Sequence, residues 1–144
     1  MTSLNWLIMK VNQAQLLNLL VSVDSDFSPP LSSNIDLVEY SGKLVKSSKI
    51  FSKVFADELA GFCAVYYNTE QAYLPMLAVG MKFRGKNLAK TLLDEAICFL
   101  KSHQHKSLLL EVYKNNLGAI SLYTKLGFTE VNCSEKSLFL KKIF

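Results

Sequence analysis

Arg84-Gly85-Lys86-Asn87-Leu88-Ala89-Lys90 is a cationic turn with one glycine, set directly ahead of an amphipathic run. Upstream lies the apolar, strand-like Leu77-Ala78-Val79. Downstream, Leu88, Leu92, Ala96 and Leu100, with Ala89, Leu93 and Ile97, recur at the spacing that stacks side chains on one helical face. Strand, glycine turn and helix in that order aim the free N–H groups of the first helical turn, and the positive end of the helix dipole, at one point. Phosphate suits such a point. Lys82, Arg84, Lys86 and Lys90 add four positive charges, and the window from Met81 to Leu93 contains no acid. The whole chain carries a net charge of +4, so the remainder sums to zero and a polyanion is expected at this helix start.

The 144 residues fit one domain, 1–144, long enough to bury about 68–70% of the unfolded surface. Half of the residues are hydrophobic and 19% are charged, a balance that excludes intrinsic disorder. No apolar run approaches the ~18 residues of a membrane span, so no membrane partner is expected. The Met-Thr-Ser-Leu-Asn-Trp start lacks the basic region and cleavage site of a secretory signal, which favours a cytoplasmic protein. Cys63, Cys98 and Cys133 are odd in number and show no CxxC spacing, so neither a disulfide framework nor a metal site is indicated. They read as small core residues. His103 and His105 read as solvent-facing groups at a helix end. The basic charge is too local for a nucleic-acid surface, which spreads Lys and Arg along a whole face.

Periodicity orders the elements. Trp6 to Val11 fits a first strand, and Gln13 to Val23 a helix bearing Leu16, Leu17, Leu19, Leu20 and Val23. Asp24 to Asn34, with Pro29-Pro30, is a loop. A second helix is expected from Asp36 to Ser47. Ile50 to Ala56 and Ala60 to Asn68 form a hairpin turning at Asp57-Glu58. In the third run, Ala72 to Val79, Pro75 cannot donate to a ladder and marks an edge, a bulge or a split in the sheet. The helix from Lys86 to His103 leads into Leu108-Leu109-Leu110-Glu111-Val112, a run suited to a strand covered on both faces. Strand, helix and strand in that order predict a right-handed crossover and parallel pairing. A short helix, Asn116 to Leu126, stops at Gly127, and Phe128 to Val131 with Ser137 to Lys142 close as a hairpin.

Two separated motifs make the chain resemble the GNAT superfamily of acyl-CoA-dependent N-acetyltransferases. The first is the coenzyme A pyrophosphate loop, [Q/R]-x-x-G-x-[G/A], with Arg84 at its start, Ala89 at its end and Asn87 in place of the fixed glycine. The second is N-x-x-A-I-x-L-Y-x-K-L-G-F, met in full by Asn116, Ala119, Ile120, Leu122, Tyr123, Lys125, Leu126, Gly127 and Phe128. The resemblance implies an α/β (α+β) domain whose mixed central sheet has splayed parallel strands flanked by helices. It further implies that backbone groups of Leu77, Ala78 and Val79 pair with the pantetheine amides of acetyl-CoA. Amides from Gly85 to Ala89, including those of Lys86, Asn87 and Leu88, would hold the pyrophosphate, with Arg84 and Lys90 beside them and Asn116, Ala119 and Tyr123 on the facing wall. A side chain at Asn87 is expected to weaken or reseat the coenzyme without abolishing its binding.

By the same resemblance Tyr123 is the general acid for the departing thiolate, and Glu111 the candidate base, acting directly or through water. Glu111 alternates with Leu110 and Val112 along its strand, where an acid in a buried setting calls for a reason. Acceptor recognition is expected from the N-terminal half, with Phe27, Pro30, Tyr40, Tyr66, Asn68 and Tyr73 as walls and hydrogen-bonding groups. That chemistry suits a primary amine of a small molecule, an amino sugar among them. A protein N-terminus or lysine is the alternative acceptor, and a non-catalytic acyl-CoA-binding regulatory domain the alternative class. A homodimer is one candidate assembly.

Overall fold

Local capping sets where the helices of the N-terminal half begin. In the computed structural model, which describes residues 11–27 and 29–144, Asn12 Oδ1 accepts from the Gln15 N–H at 2.8 Å and Gln15 Oε1 accepts from the Asn12 N–H at 3.1 Å. This reciprocal box starts α1 (Gln13–Val23), whose Leu16, Leu19, Leu20 and Val23 are buried. Asp36 Oδ1 accepts from Val38 and Glu39 and starts α2 (Leu37–Ser47). Between them Asp24–Asp26 and Leu31–Ser33 are single 3-10 turns in the expected loop. The strand expected over Trp6 to Val11 lies, apart from Val11, outside the described residues.

β1 (Lys49–Phe55) and β2 (Glu58–Tyr66) form the expected hairpin, but its turn is Ala56-Asp57. Both residues have positive φ, 49° and 64°. A two-residue turn that follows the strands' right-handed twist needs that geometry at both central positions, so Glu58 already pairs with Phe55.

The sheet order is β1-β2-β3-β4-β6-β5, with β3 Ala72–Val79, β4 Ser107–Tyr113, β5 Thr129–Cys133 and β6 Ser137–Ile143. The one parallel pair, β3 with β4, is joined by α3 (Leu88–Ser102), and α4 (Leu117–Lys125) follows β4. The tail hairpin is present, and its second strand inserts between β4 and β5. Pro75 sits at a bulge as well as a split. Ala64 faces Met76 and Tyr66 faces Tyr73, so two β3 residues oppose one on β2. On the other side the parallel register runs only through Ala72↔Leu108 and Tyr73↔Leu109, after which β3 and β4 part.

Two apolar layers cover the sheet. On one face Leu92, Leu93, Ala96, Ile97 and Leu100 of α3 pack on Leu108, Leu110 and Val112 of β4, joined by Tyr123 and Phe128. On the other, α1 and α2 pack on β1, β2 and β3 through Leu16, Leu20, Leu44, Phe62, Ala64 and Met76. This second layer contains no β4 residue, so β4 is not covered on both faces as its composition suggests. Glu111 and Tyr113 are exposed while Leu108, Leu110 and Val112 are buried. No helix among the described residues is long and apolar enough to cross a membrane.

Candidate active site

Where β3 and β4 part, a cleft of about 980 Å³ opens. One wall is the end of β3, Leu77, Ala78 and Val79, continuing into residues 84–90. The facing wall is α4 with Asn116, Ala119, Leu122, Tyr123, Lys125 and Leu126, and Val23, Asp26 and Phe27 close one side. The structure thus brings together every residue that the sequence assigned to the coenzyme, across two walls about 30 residues apart in the chain.

The loop before α3 is shaped by two left-handed residues, Gly85 at φ 79° and Asn87 at φ 64°. Asn87 is the N-cap of α3, and its side chain makes no cap hydrogen bond. Because the Asn87 side chain takes none of the first-turn amides, they are left without a side-chain cap, the state in which a helix start can accept an anion. The left-handed φ also shows why asparagine is tolerated where the motif has glycine: it enters this region more readily than most residues. Asn87→Ala is expected to cost about 1 kcal/mol of stability, the left-handed penalty for a residue with Cβ, and Asn87→Gly to stay near wild type. Urea unfolding of the two variants checks this; equal losses would show that the asparagine side chain itself holds the loop.

The local charge differs from its appearance in sequence. Three of the four cations are matched by acids from elsewhere in the chain: Lys82 by Glu58, Arg84 by Asp26 and Lys90 by Asp94, each at 2.7 Å. Arg84 also donates from Nε to the Val79 carbonyl at 3.1 Å. The carbonyl assigned to the pantetheine is therefore already engaged by Arg84. Among the described residues Lys86 has no carboxylate partner and lies on the cleft wall, so it and the α3 amides are the groups presented to an anion.

Tyr123 is buried, 8% exposed, at the inner end of the cleft, edge-to-face with Phe128 at 5.5 Å. Burial, with smaller contributions from Cys63, Tyr40 and Tyr73, holds its phenol well above the ordinary value of 10.0, so the hydroxyl stays protonated. Tyr40, Tyr66 and Tyr73, like Glu111, lie outside the cleft lining, with Tyr40 and Tyr73 close enough to act on the Tyr123 phenol. Tyr66 faces Tyr73 across β2 and β3, and Tyr40 donates to the Pro75 carbonyl at 3.3 Å. All three phenols are pushed upward, first by burial, and Tyr73 also by the Glu111 carboxylate nearby. Glu111 is exposed, on the face of β4 that α1 and α2 leave uncovered.

Phe27 lines the cleft, whereas Pro30 and Asn68 are exposed and lie outside its lining. Sequence reasoning missed Val23, Asp26 and Gly118 as lining residues and gave Leu122, Lys125 and Leu126 no coenzyme role, and Asp26 carries no signal beyond being acidic. Of the cysteines only Cys63 is a core residue; burial, with Glu95, pushes its thiol up to about 12, while Cys98 and Cys133 are exposed. Nor are the histidines simply solvated: the His103 ring lies against Phe99 with centroids 4.1 Å apart, and His105 Nε2 is 2.7 Å from the Tyr67 carbonyl. Among the described residues no His, Cys, Asp and Glu cluster is arranged to hold a metal.

The chain is similar to known proteins. The chain is 35% identical over 74 residues to the [ribosomal protein bS18]-alanine N-acetyltransferase of Salmonella typhimurium, which is 51% of this chain and 50% of that protein. It is 31% identical over 71 residues to N-alpha-acetyltransferase 30 of Schizosaccharomyces pombe, 49% of this chain and 45% of the relative. The matches thus span about half the length of these relatives. The PaiA N-acetyltransferase of Thermoplasma acidophilum, solved with coenzyme A, superposes with a TM-score of 0.75 at 19% identity, covering 94% of this chain and 97% of that one. The ribosomal-protein-alanine N-acetyltransferase of Brucella melitensis does so with a TM-score of 0.68 at 18% identity, over 94% and 98%. These two likenesses show the shared fold. Residues 19–128, most of the domain and both walls of the cleft, match the acetyltransferase (GNAT) family, and the chain belongs to it.

Proposed function

We propose that this chain is an acetyl-CoA-dependent N-acetyltransferase that acetylates a primary amine by direct transfer. One observation carries the reading: the uncapped start of α3 and the buried phenol of Tyr123 lie in a single cleft opened by the parting of β3 and β4. Acetyl-CoA supplies the acetyl group as an activated thioester. The first-turn amides of α3 and Lys86 take the pyrophosphate, and the edge of β3 around Leu77 and Ala78, which β4 does not pair, offers backbone groups to the pantetheine amides.

Tyr123 holds its proton for the departing sulfur. A phenol raised above its ordinary value does not ionise at neutral pH and remains a donor. Glu111 accepts the proton released by the amine through water, since its exposed position leaves room for a relay. The phenols of Tyr40, Tyr66 and Tyr73 wall the acceptor end, where their ring faces suit an ammonium before it is deprotonated.

For the acceptor, a polypeptide N-terminus is supported by the relatives, whose names specify protein α-amines, and by the edge of β4 beyond Leu109, which no β3 residue pairs. The uncharged tyrosine wall supports the second reading, a small amine such as an amino sugar.

Free thiol released from acetyl-CoA, measured against peptides of varied first residue, lysine peptides, amino sugars and polyamines, tests both readings. Turnover with N-terminal peptides alone is the expected result, and turnover with sugars alone reverses the choice. Coenzyme binding without any thiol release would make the domain a non-catalytic acyl-CoA sensor. Acetyl-CoA at about a hundred times its Kd is expected to stabilise the fold by about 2.7 kcal/mol, seen as a raised Tm. No shift at millimolar coenzyme would count against the assignment. Asn87→Gly is expected to bind acetyl-CoA at least as tightly as wild type, because the native side chain makes no capping bond that would be lost. Looser binding would identify the asparagine amide as a ligand.

A further inference from the structure

Arg84 reaches out of the anion-facing loop to the segment that follows α1. Its Nη2 donates to Asp26 Oδ2 at 2.7 Å, while Nε holds the Val79 carbonyl. Asp26 ends the turn begun by Asp24, and Asp24 accepts from the N–H and the hydroxyl of Ser32 at 2.8 and 2.5 Å. One bonded path therefore runs from the coenzyme loop, through Arg84 and the Asp24–Asp26 turn, to the second turn of the α1–α2 connection.

An ion pair with side chains 45% and 31% exposed adds little to stability. Its position on the cleft wall is what matters. A lone carboxylate at Asp26 would face the same space as Lys86 and the α3 amides, and would repel a phosphate there.

We infer that Asp26 is a positioning residue that fastens the α1–α2 connection to the coenzyme loop, and that Arg84 serves as its neutralising clasp instead of as a phosphate ligand. The inference rests on the coenzyme reading. A guanidinium carries five N–H donors in a rigid fork, so fixing the loop fixes Arg84 and, through it, the Asp24–Asp26 turn. Coenzyme binding then orders the Leu31–Ser33 turn, which lies outside the cleft lining, because ordering the loop removes part of the entropy cost of closing the clasp.

A double-mutant cycle on the full chain, with acetyl-CoA affinity from calorimetry, separates the two roles of Arg84. Arg84→Gln is expected to weaken acetyl-CoA by about tenfold or more, since it leaves Asp26 as an uncompensated anion, and Asp26→Asn to change it by less than about threefold. The double variant is expected to return within about threefold of wild type. A double variant as weak as Arg84→Gln would overturn the inference and make Arg84 a direct phosphate ligand. Thermal unfolding of each variant confirms that the fold is retained.

Hydrogen exchange supplies a readout that a merely structural ion pair would not move. Acetyl-CoA is expected to slow exchange at residues 31–34 in wild type and in Asp26→Glu, and not in Asp26→Asn. Equal protection in Asp26→Asn would overturn the coupling. Wild-type protein giving no heat with acetyl-CoA would remove the coenzyme reading itself, whereas binding without rescue removes the clasp alone.

Discussion

Replacing Tyr123 with Phe is expected to lower kcat by about 10²-fold or more while acetyl-CoA affinity changes little, because the hydroxyl acts mainly in the transition state. The ring keeps its edge-to-face packing on Phe128 and its place in the core, so the change removes one hydroxyl and leaves the wall intact. Loss of one neutral hydrogen bond is worth about 0.5–1.5 kcal/mol, at most roughly tenfold, so the acid role and a packing role give separable results. The raised ionisation of Tyr123 adds a second expectation. Its acid form persists past the ordinary phenol range, so the rate should show no loss assignable to this group as pH rises to 10.0. A kcat decrease below about fivefold, measured where chemistry limits turnover, would retire Tyr123 as the acid.

Gly127→Ala is expected to be the most destabilising of the substitutions argued here, by about 1–2 kcal/mol, and to reach the site through the chain turn beneath Tyr123. Gly127 has φ of 96°, where a residue with Cβ is strained by about 1–2 kcal/mol. A Cβ there would lie 2.7 Å from Lys142 Nζ, which donates to the Leu126 carbonyl at the end of α4. The ammonium is the far end of a flexible side chain and moves aside at little cost, so the φ penalty dominates. The same turn carries the Phe128 N–H to the Tyr123 carbonyl at 3.0 Å, so its distortion shifts the ring of Tyr123. Urea unfolding and kcat are expected to fall together in Gly127→Ala. In the Lys142→Ala background, which lacks the ammonium, Gly127→Ala should cost only the part due to φ. Full stability in Gly127→Ala would show that the turn relaxes freely.

The recurrence of apolar residues at helical spacing in α3 and the β-rich runs of β1 and β2, broken at Asp57-Glu58, were enough to place these elements. Pro75 signalled an irregularity, and bulge and split proved to coincide. A residue without an N–H fits where the ladder on one side gains a residue and the ladder on the other side ends. The exposed face of β4 was not legible. Leu108, Leu109 and Leu110 read as a doubly covered strand, and exposure depends on how far α1 and α2 extend across the sheet, which no local pattern encodes.

By itself the sequence determined the order of elements, the glycine turn ahead of α3 and the two motif blocks that line the cleft. All three rest on short-range spacing, where neighbouring residues share one helix, strand or turn. Only the tertiary structure decided the electrostatics of the site. Asp26, Glu58 and Asp94 reach Arg84, Lys82 and Lys90, two of these pairs from far along the chain, so a cationic stretch in sequence leaves Lys86 and the α3 amides to meet an anion. Tertiary packing likewise buried Tyr123, which raises its phenol well above its ordinary value, and left Glu111 exposed, because exposure depends on which elements cover a side chain.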